Sequence, residues 1–293
     1  MWADDKEKEV YHVNIGFRSD RGRKRDRDED SLAVVHTQVV HESHITETVL
    51  LVVADGMGGH NAGEVASQQG VEGLIVTIIP SLVHRPSEDV CTVIASAIEG
   101  VNTTLLDSVQ THPDYHGMGT TITSAVIMGS RVYIGHVGDS RAYILNGNHI
   151  RQVTKDHSLV QEMVDQGQLS VEEARVHPQK HIITRAMGVA PQVKVDTYTE
   201  MLYGDDILLL CCDGLTDMLT DGEIMSIIND HDDPQVMCDA LIAHANEKGG
   251  SDNISVIVFR CDELPKREEV LCEETHLKPG KTPDTGSEAT PRE

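Results

Sequence analysis

The chain has 293 residues, 39% of them hydrophobic and 25% charged, enough to bury a sizeable core. Its formal net charge of -24 argues against a polyanionic nucleic-acid partner and suits a protein that gathers carboxylates around cations. No apolar run approaches the ~18 residues of a membrane span, and the opening MWADDKEKEV has no apolar signal region, so a cytoplasmic protein with no membrane partner is expected. The six cysteines form no C-x-x-C pair, and all six are expected as reduced thiols.

Residues 1–10 are read as an N-terminal extension. Segments 11–17, 31–36 and 48–54, rich in Val, Leu and Ile, predict strands, with the polar stretch 37–47 as a hairpin loop. The period then changes. Val71, Leu74, Ile75 and Ile78 share a helical face over 62–79, and Val90, Ile94, Ala97, Ile98, Val101 and Leu105 share another over 87–106. Strands at 120–128, 131–137, 141–146 and 149–153 with short connections read as an antiparallel meander. Residues 157–190 break the pattern with one or two short helices, Ser170 and Glu173 forming a capping box.

Strands return at 193–199 and 206–212. Helices follow at 214–219, at 221–229 (Thr220 and Glu223 as capping box) and at 234–247, with Asp233 as cap and Pro234 in the first turn. A last strand covers 254–260, and the polar, aperiodic residues from about 263 to 293 read as a disordered tail. The order predicts an α+β fold of two mostly antiparallel sheets with helices outside, over a domain of about 11–262.

Five aspartates stand at strand ends. Asp55 follows TVLLVVA, Asp213 follows ILLLCC and Asp139 follows VYIGHVG; Asp30 and Asp252 precede strands. Each Asp-Gly alone is ordinarily a turn. If the five converge, their mutual repulsion calls for a cation. Oxygen ligands select a hard ion, Mg²⁺ or Mn²⁺, and the spacing gives no zinc pattern. The glycines of ADGMGGH (54–60) let backbone approach an ion, with the Gly56 carbonyl as a candidate ligand. RSDRGRKRDRDED (18–30) holds six of the 24 basic residues; phosphate is one candidate partner and a solvated mixed-charge loop the other.

Taken together, SDRGRKRDRDEDS, VADGMGGHNAGEVAS, GMGTTITSAVI, HVGDSRAYIL, VTKDHSLVQEMVDQGQLSVEEARVHP, ITRAMG, LLLCCDGLTDMLTDGEI and GGSDNISVIV resemble the PPM (type 2C) metal-dependent protein serine/threonine phosphatases in their prokaryotic form. The match spans about residues 12–260, with the motifs in family order. The resemblance implies a four-layer αββα sandwich with a mobile flap subdomain at about 157–190. It implies hydrolysis of phosphoserine and phosphothreonine in proteins by a metal-bridging hydroxide, with two Mn²⁺ or Mg²⁺ ions and a third, weaker one.

By matching position, Asp55 bridges two metals with the Gly56 carbonyl on the second; Asp213 and Asp252 complete the first. Glu29 and Asp30 hold metal-bound waters, and Asp139 and Asp217 bind the third ion. Arg25 grips phosphate and His60 protonates the leaving alkoxide. The partners implied are phosphorylated proteins and an opposing Ser/Thr protein kinase, with the enzyme a monomer. Asp28 stands where the family has Asn, adding a charge beside the intact Glu29-Asp30 pair. His136, His157, His177 and His181 take the ordinary structural reading. A cysteine phosphatase fails, since neither Cys211 nor Cys212 is followed by Arg six residues on. A calcineurin-like reading of Gly138-Asp139 and Gly147-Asn148-His149 fails because both sit across one tight hairpin and Ile150 replaces the expected acid. A catalytically silent phosphoprotein-binding module and a phosphatase for small metabolites stay open.

Overall fold

The structure is a computed structural model that describes residues 12–41, 44–58, 62–84 and 89–267. Two antiparallel sheets lie face to face with helices on both outer sides. One sheet has the order β1 (Asn14–Asp20), β11 (Ile254–Arg260), β10 (Asp206–Cys211), β7 (Arg141–Asn146), β8 (His149–Gln152). The other runs β2 (Asp30–His41), β3 (His44–Met57), β5 (Ile122–Met128), β6 (Arg131–Val137), β9 (Asp196–Met201), with the short β4 (Gly119–Thr120) beside β3.

Strand alternation builds the four layers. Val49, Leu51 and Val53 of β3 meet Leu208 and Leu210 of β10 and Ile257 and Phe259 of β11 between the sheets. Leu50, Val52 and Ala54 face the other way, against α1 (Ala62–His84) and α2 (Val90–Thr111). Leu209, Cys211, Val256 and Val258 face α6 (Asp221–Asn229) and α7 (Pro234–Glu247). Strands covered on both faces have no polar side to show, which is why TVLLVVA and ILLLCC are continuously apolar. The expected α+β sandwich is the fold observed.

Local signals held at several ends. Thr220 and Glu223 make both bonds of a capping box, Asp233 caps α7 ahead of Pro234, and Ser170 and Glu173 cap α4 (Val171–Val176). Four expectations differ. The stretch 37–47 is largely strand: β2 and β3 continue through Thr37↔Thr48, Gln38↔Glu47 and Val39↔Thr46, a ribbon projecting past the core with Val40 67% exposed. The ladder's Thr and Val residues favour extended backbone even without burial. The expected meander is divided, because β6 pairs with β5 and β9 while β7 pairs with β10 and β8. Gly138, Asp139 and Ser140 therefore cross from one sheet to the other. β9 starts later than expected, since Val193 packs instead into the core under α2. The domain also passes the expected boundary at 262: Leu264 is buried between the sheets and Gly204 N–H donates to the Pro265 carbonyl at 3.1 Å. The 1–10 extension and residues 268–293 of the expected tail lie outside the described residues.

Between β8 and β9 lies the segment expected as a flap, with α3 (Leu159–Asp165) and α4. Its limbs meet at an antiparallel bridge between Ser158 and Ile183.

Candidate metal centre

The acidic cleft follows from register. Asp30 opens β2 and Asp55 ends β3, and the ladder sets them directly opposite one another. Asp213 begins α5 (Asp213–Thr216) where β10 ends, Asp217 caps that helix, and Asp252 lies just before β11. Asp139 enters from the crossing between the sheets. Burial pushes the Asp55 carboxyl well above the usual carboxylate range, and the charges of Asp30, Asp213, Asp139 and Asp252 push it further. Burial likewise raises Asp30 to about 8, helped by Asp28 and Asp213, and raises Asp213 to about 6, helped by Asp217 and Asp252. Asp139 is raised by burial and by Asp213 and Asp156.

The carboxylates therefore share one field. Both oxygens of Asp30 and one each of Asp139 and Asp213 are buried without a hydrogen-bond partner. Buried acceptors this poor in donors call for cations. The donor set is nearly all oxygen and fits a hard divalent ion such as Mg²⁺ or Mn²⁺.

Backbone supports are tight. The Asp55 N–H donates to Thr121 Oγ1 at 3.0 Å, and its carbonyl accepts from Thr121 N–H at 2.8 Å and Thr120 Oγ1 at 2.9 Å. Gly56 N–H donates to the Glu29 carbonyl at 3.2 Å, and a Cβ at Gly56 would lie 2.2 Å from the Gly63 carbonyl oxygen, so only glycine fits.

The basic loop is pinned, unlike a solvated one. Asn253 accepts from Glu29 N–H at 2.9 Å and donates to the Arg21 and Arg27 carbonyls at 3.0 and 2.7 Å. Arg25 reaches across the cleft, Nη2 to Asp252 Oδ2 at 2.6 Å, with about half its side chain exposed. Burial raises the partly buried Glu29 carboxyl. Asp28 accepts from Ser19 Oγ at 2.6 Å and from Asp30 N–H at 3.2 Å, and its extra charge raises Asp30.

Asp217 is already engaged. Lys180 Nζ sits 2.8 Å from its Oδ1 and His181 Nδ1 3.4 Å from its Oδ2, and Arg175 donates to the Thr216 and Leu219 carbonyls at 3.2 and 3.1 Å. The flap thus rests on the helix that carries Asp213. Ligand atoms of His181, Asp213 and Asp217 lie within 4.8 Å of one another, so the histidine given an ordinary reading stands among the carboxylates. Asp55 feels the charges of Asp30, Asp139, Asp213 and Asp252, Asp213 feels that of Asp217, and Arg25 feels those of Asp252, Glu29 and Asp55, with Gly56 next to Asp55 in the chain; His60 lies outside the described residues. Sequence reasoning missed Thr121, Asn253, Arg175 and Lys180. Only Asn253 adjoins one of the aspartates, Asp252; Thr121, Arg175 and Lys180 carry no local signal, since each acts through contacts distant in the chain.

A sequence model described as "Protein phosphatase 2C" matches residues 16–254. The chain belongs to the protein phosphatase 2C family. It is 39% identical over 254 residues to the serine/threonine phosphatase stp of Listeria welshimeri, covering 87% of this chain and 98% of that one. The crystal structure of the Mycobacterium tuberculosis serine/threonine phosphatase PstP/Ppp is similar at a TM-score of 0.72 and 35% identity, over 85% of this chain and 98% of the other. A structure of the PstP catalytic domain in complex with two manganese ions matches at a TM-score of 0.70 and 34% identity, over 85% and 98% of the two chains. This protein phosphatase 2C chain is accordingly a serine/threonine protein phosphatase of a metal-dependent family, and its substrates are phosphoproteins.

Proposed function

We propose that the acidic cleft holds two Mn²⁺ or Mg²⁺ ions and hydrolyses phosphoserine and phosphothreonine in proteins, working opposite a Ser/Thr protein kinase in the cytoplasm, as a monomer. Asp55 would serve both ions and the Gly56 carbonyl the second, Asp213 and Asp252 would complete the first, and Glu29 and Asp30 would act through bound waters. Asp139 and Asp217 would take a third, weaker ion. Bound there, the ions would supply the nucleophile by lowering the pKa of water toward neutrality and would offset charge on the phosphoryl group.

The chain's own groups do the rest. Arg25, half-exposed at the cleft, can turn its planar fork from Asp252 to phosphate oxygens. His60 would protonate the leaving Ser or Thr oxygen, a role that the family resemblance implies. Asp55 is held through its backbone by Thr120 and Thr121, so its carboxylate needs little reorganisation. The cytoplasmic reading draws on Cys91, Cys211, Cys212, Cys238 and Cys261, all free thiols, and on the lack of any described helix long and apolar enough to cross a membrane.

The single observation carrying the reading is the set of unpartnered buried carboxylate oxygens on Asp30, Asp139 and Asp213 around Asp55. The test is turnover of p-nitrophenyl phosphate and a phosphothreonine peptide with Mn²⁺ and after chelation. Turnover should vanish with chelator and in Asp213→Asn, while circular dichroism stays native. Wild-type turnover in Asp213→Asn would refute the ligand set.

A further inference from the structure

His157 stands at the root of the flap and makes five directed contacts. Its N–H donates to the Gly138 carbonyl at 2.7 Å, and its Nδ1 accepts from Gly138 N–H at 2.9 Å. Its carbonyl accepts from Thr184 N–H, on the returning limb of the flap, at 2.7 Å. Because the Gly138 amide can only donate, Nδ1 accepts and carries no proton. Nε2 lies 3.0 Å from Asp196 Oδ2, at the start of β9, and 2.7 Å from Arg185 Nη1, whose guanidinium also lies 3.1 Å from Asp196 Oδ1. The ring is 6% exposed and packs on the His136 ring, centroids 4.7 Å apart. His136 is itself fixed, Nε2 donating to the Lys155 carbonyl at 3.1 Å, with the Thr123 hydroxyl 2.9 Å from its Nδ1.

The residue so gripped matters. Gly138 immediately precedes Asp139, whose buried Oδ1 has no partner. Gly138 has φ +117°, and a Cβ there would come within 2.5 Å of Thr121 Cβ. The turn is therefore wedged between Thr121, which supports Asp55, and His157, which closes the flap. At its far end the flap rests on Asp217 and the α5 carbonyls.

We infer that His157 is a positioning residue that joins the Asp139 turn to both limbs of the flap, so that the Asp139 carboxylate and the flap are held as one body through Nδ1. The predicted effect on cation binding rests on the proposed reading of Asp139 as a ligand of the weaker ion; the effect on the fold does not. Losing the Nδ1 acceptor leaves a buried amide unpaired and releases the turn and the flap root together.

Two conservative variants separate this from simple packing. His157→Asn keeps an acceptor where Nδ1 stood; His157→Gln moves its amide out toward the Nε2 position. Hydrogen exchange of the metal-free protein is read in segments 136–142 and 158–185. His157→Gln should speed exchange in both segments by about tenfold, and His157→Asn should stay near wild type. Equal behaviour of the two variants, or acceleration in one segment alone, would overturn the inference.

Mn²⁺ titration by calorimetry supplies the second readout, with Asp139→Asn marking the weakest step. His157→Gln should weaken that step by about tenfold and leave the tighter ones unchanged. If Asp139→Asn removes a step that His157→Gln leaves intact, the positioning role is refuted and the ligand reading survives. If Asp139→Asn alters no step, the ligand reading fails and the exchange data alone decide the role of His157.

Discussion

A carboxylate in this cleft is costly without a cation, and Asp30 shows the cost most directly. Its two oxygens are buried without partners, and burial together with Asp28 and Asp213 raises its carboxyl to about 8 from an ordinary 3.8. A folded-state value above the unfolded one means that the fold binds the proton more tightly. The associated stability is full below about pH 4 and is lost as pH rises through about 8. Asp30→Asn removes that penalty. In chelator, its Tm should therefore overtake wild type by an increment that grows from pH 5 to pH 8.5, read by scanning calorimetry. An increment independent of pH would refute the assigned titration. Asp55, Asp139, Asp213 and Asp252 were legible as residues at strand ends. That their charges meet was implied only by the family resemblance and by no local pattern, because the register Asp30↔Asp55 and the crossing at 138–140 join segments far apart in the chain.

Elements were readable wherever a local rule acted. The capping boxes at Ser170 and Thr220 need only neighbours three residues apart, and both formed. The division of the strand block between two sheets has no local signature, since short connections serve a hairpin and a crossing alike. The flap sits between these cases: its caps are local, but its rest position depends on Arg175 and Lys180 meeting α5. Arg175→Ala removes two bonds from a guanidinium to the Thr216 and Leu219 carbonyls. Limited proteolysis should cut within 158–183 about tenfold faster in this variant and leave the sheets intact. Unchanged cleavage would mean that the flap is held elsewhere.

At the scale of the whole molecule, the cleft depends on two sheets keeping a fixed distance. Leu210 is fully buried between them on β10, the strand that delivers Asp213. Leu210→Ala should lower unfolding free energy by about 2–5 kcal/mol in urea. Added Mn²⁺ should then raise its Tm about as much as it raises wild type, because the proposed ligands are untouched. A lost metal response would place Leu210 in the geometry of the site as well as in the core.

Composition and motif order by themselves determined the class of the fold, its helices and caps, the family, and the acidic residues proposed as cation ligands. Those are properties of nearest neighbours and of residue type at fixed spacing. Only the tertiary structure decided which carboxylates face one another, that Arg25 lies on Asp252, that Lys180 lies on Asp217, and that His157 ties the flap to Asp139. Each is a contact between residues distant in the chain, set by strand register and sheet packing, and no local propensity encodes such a distance.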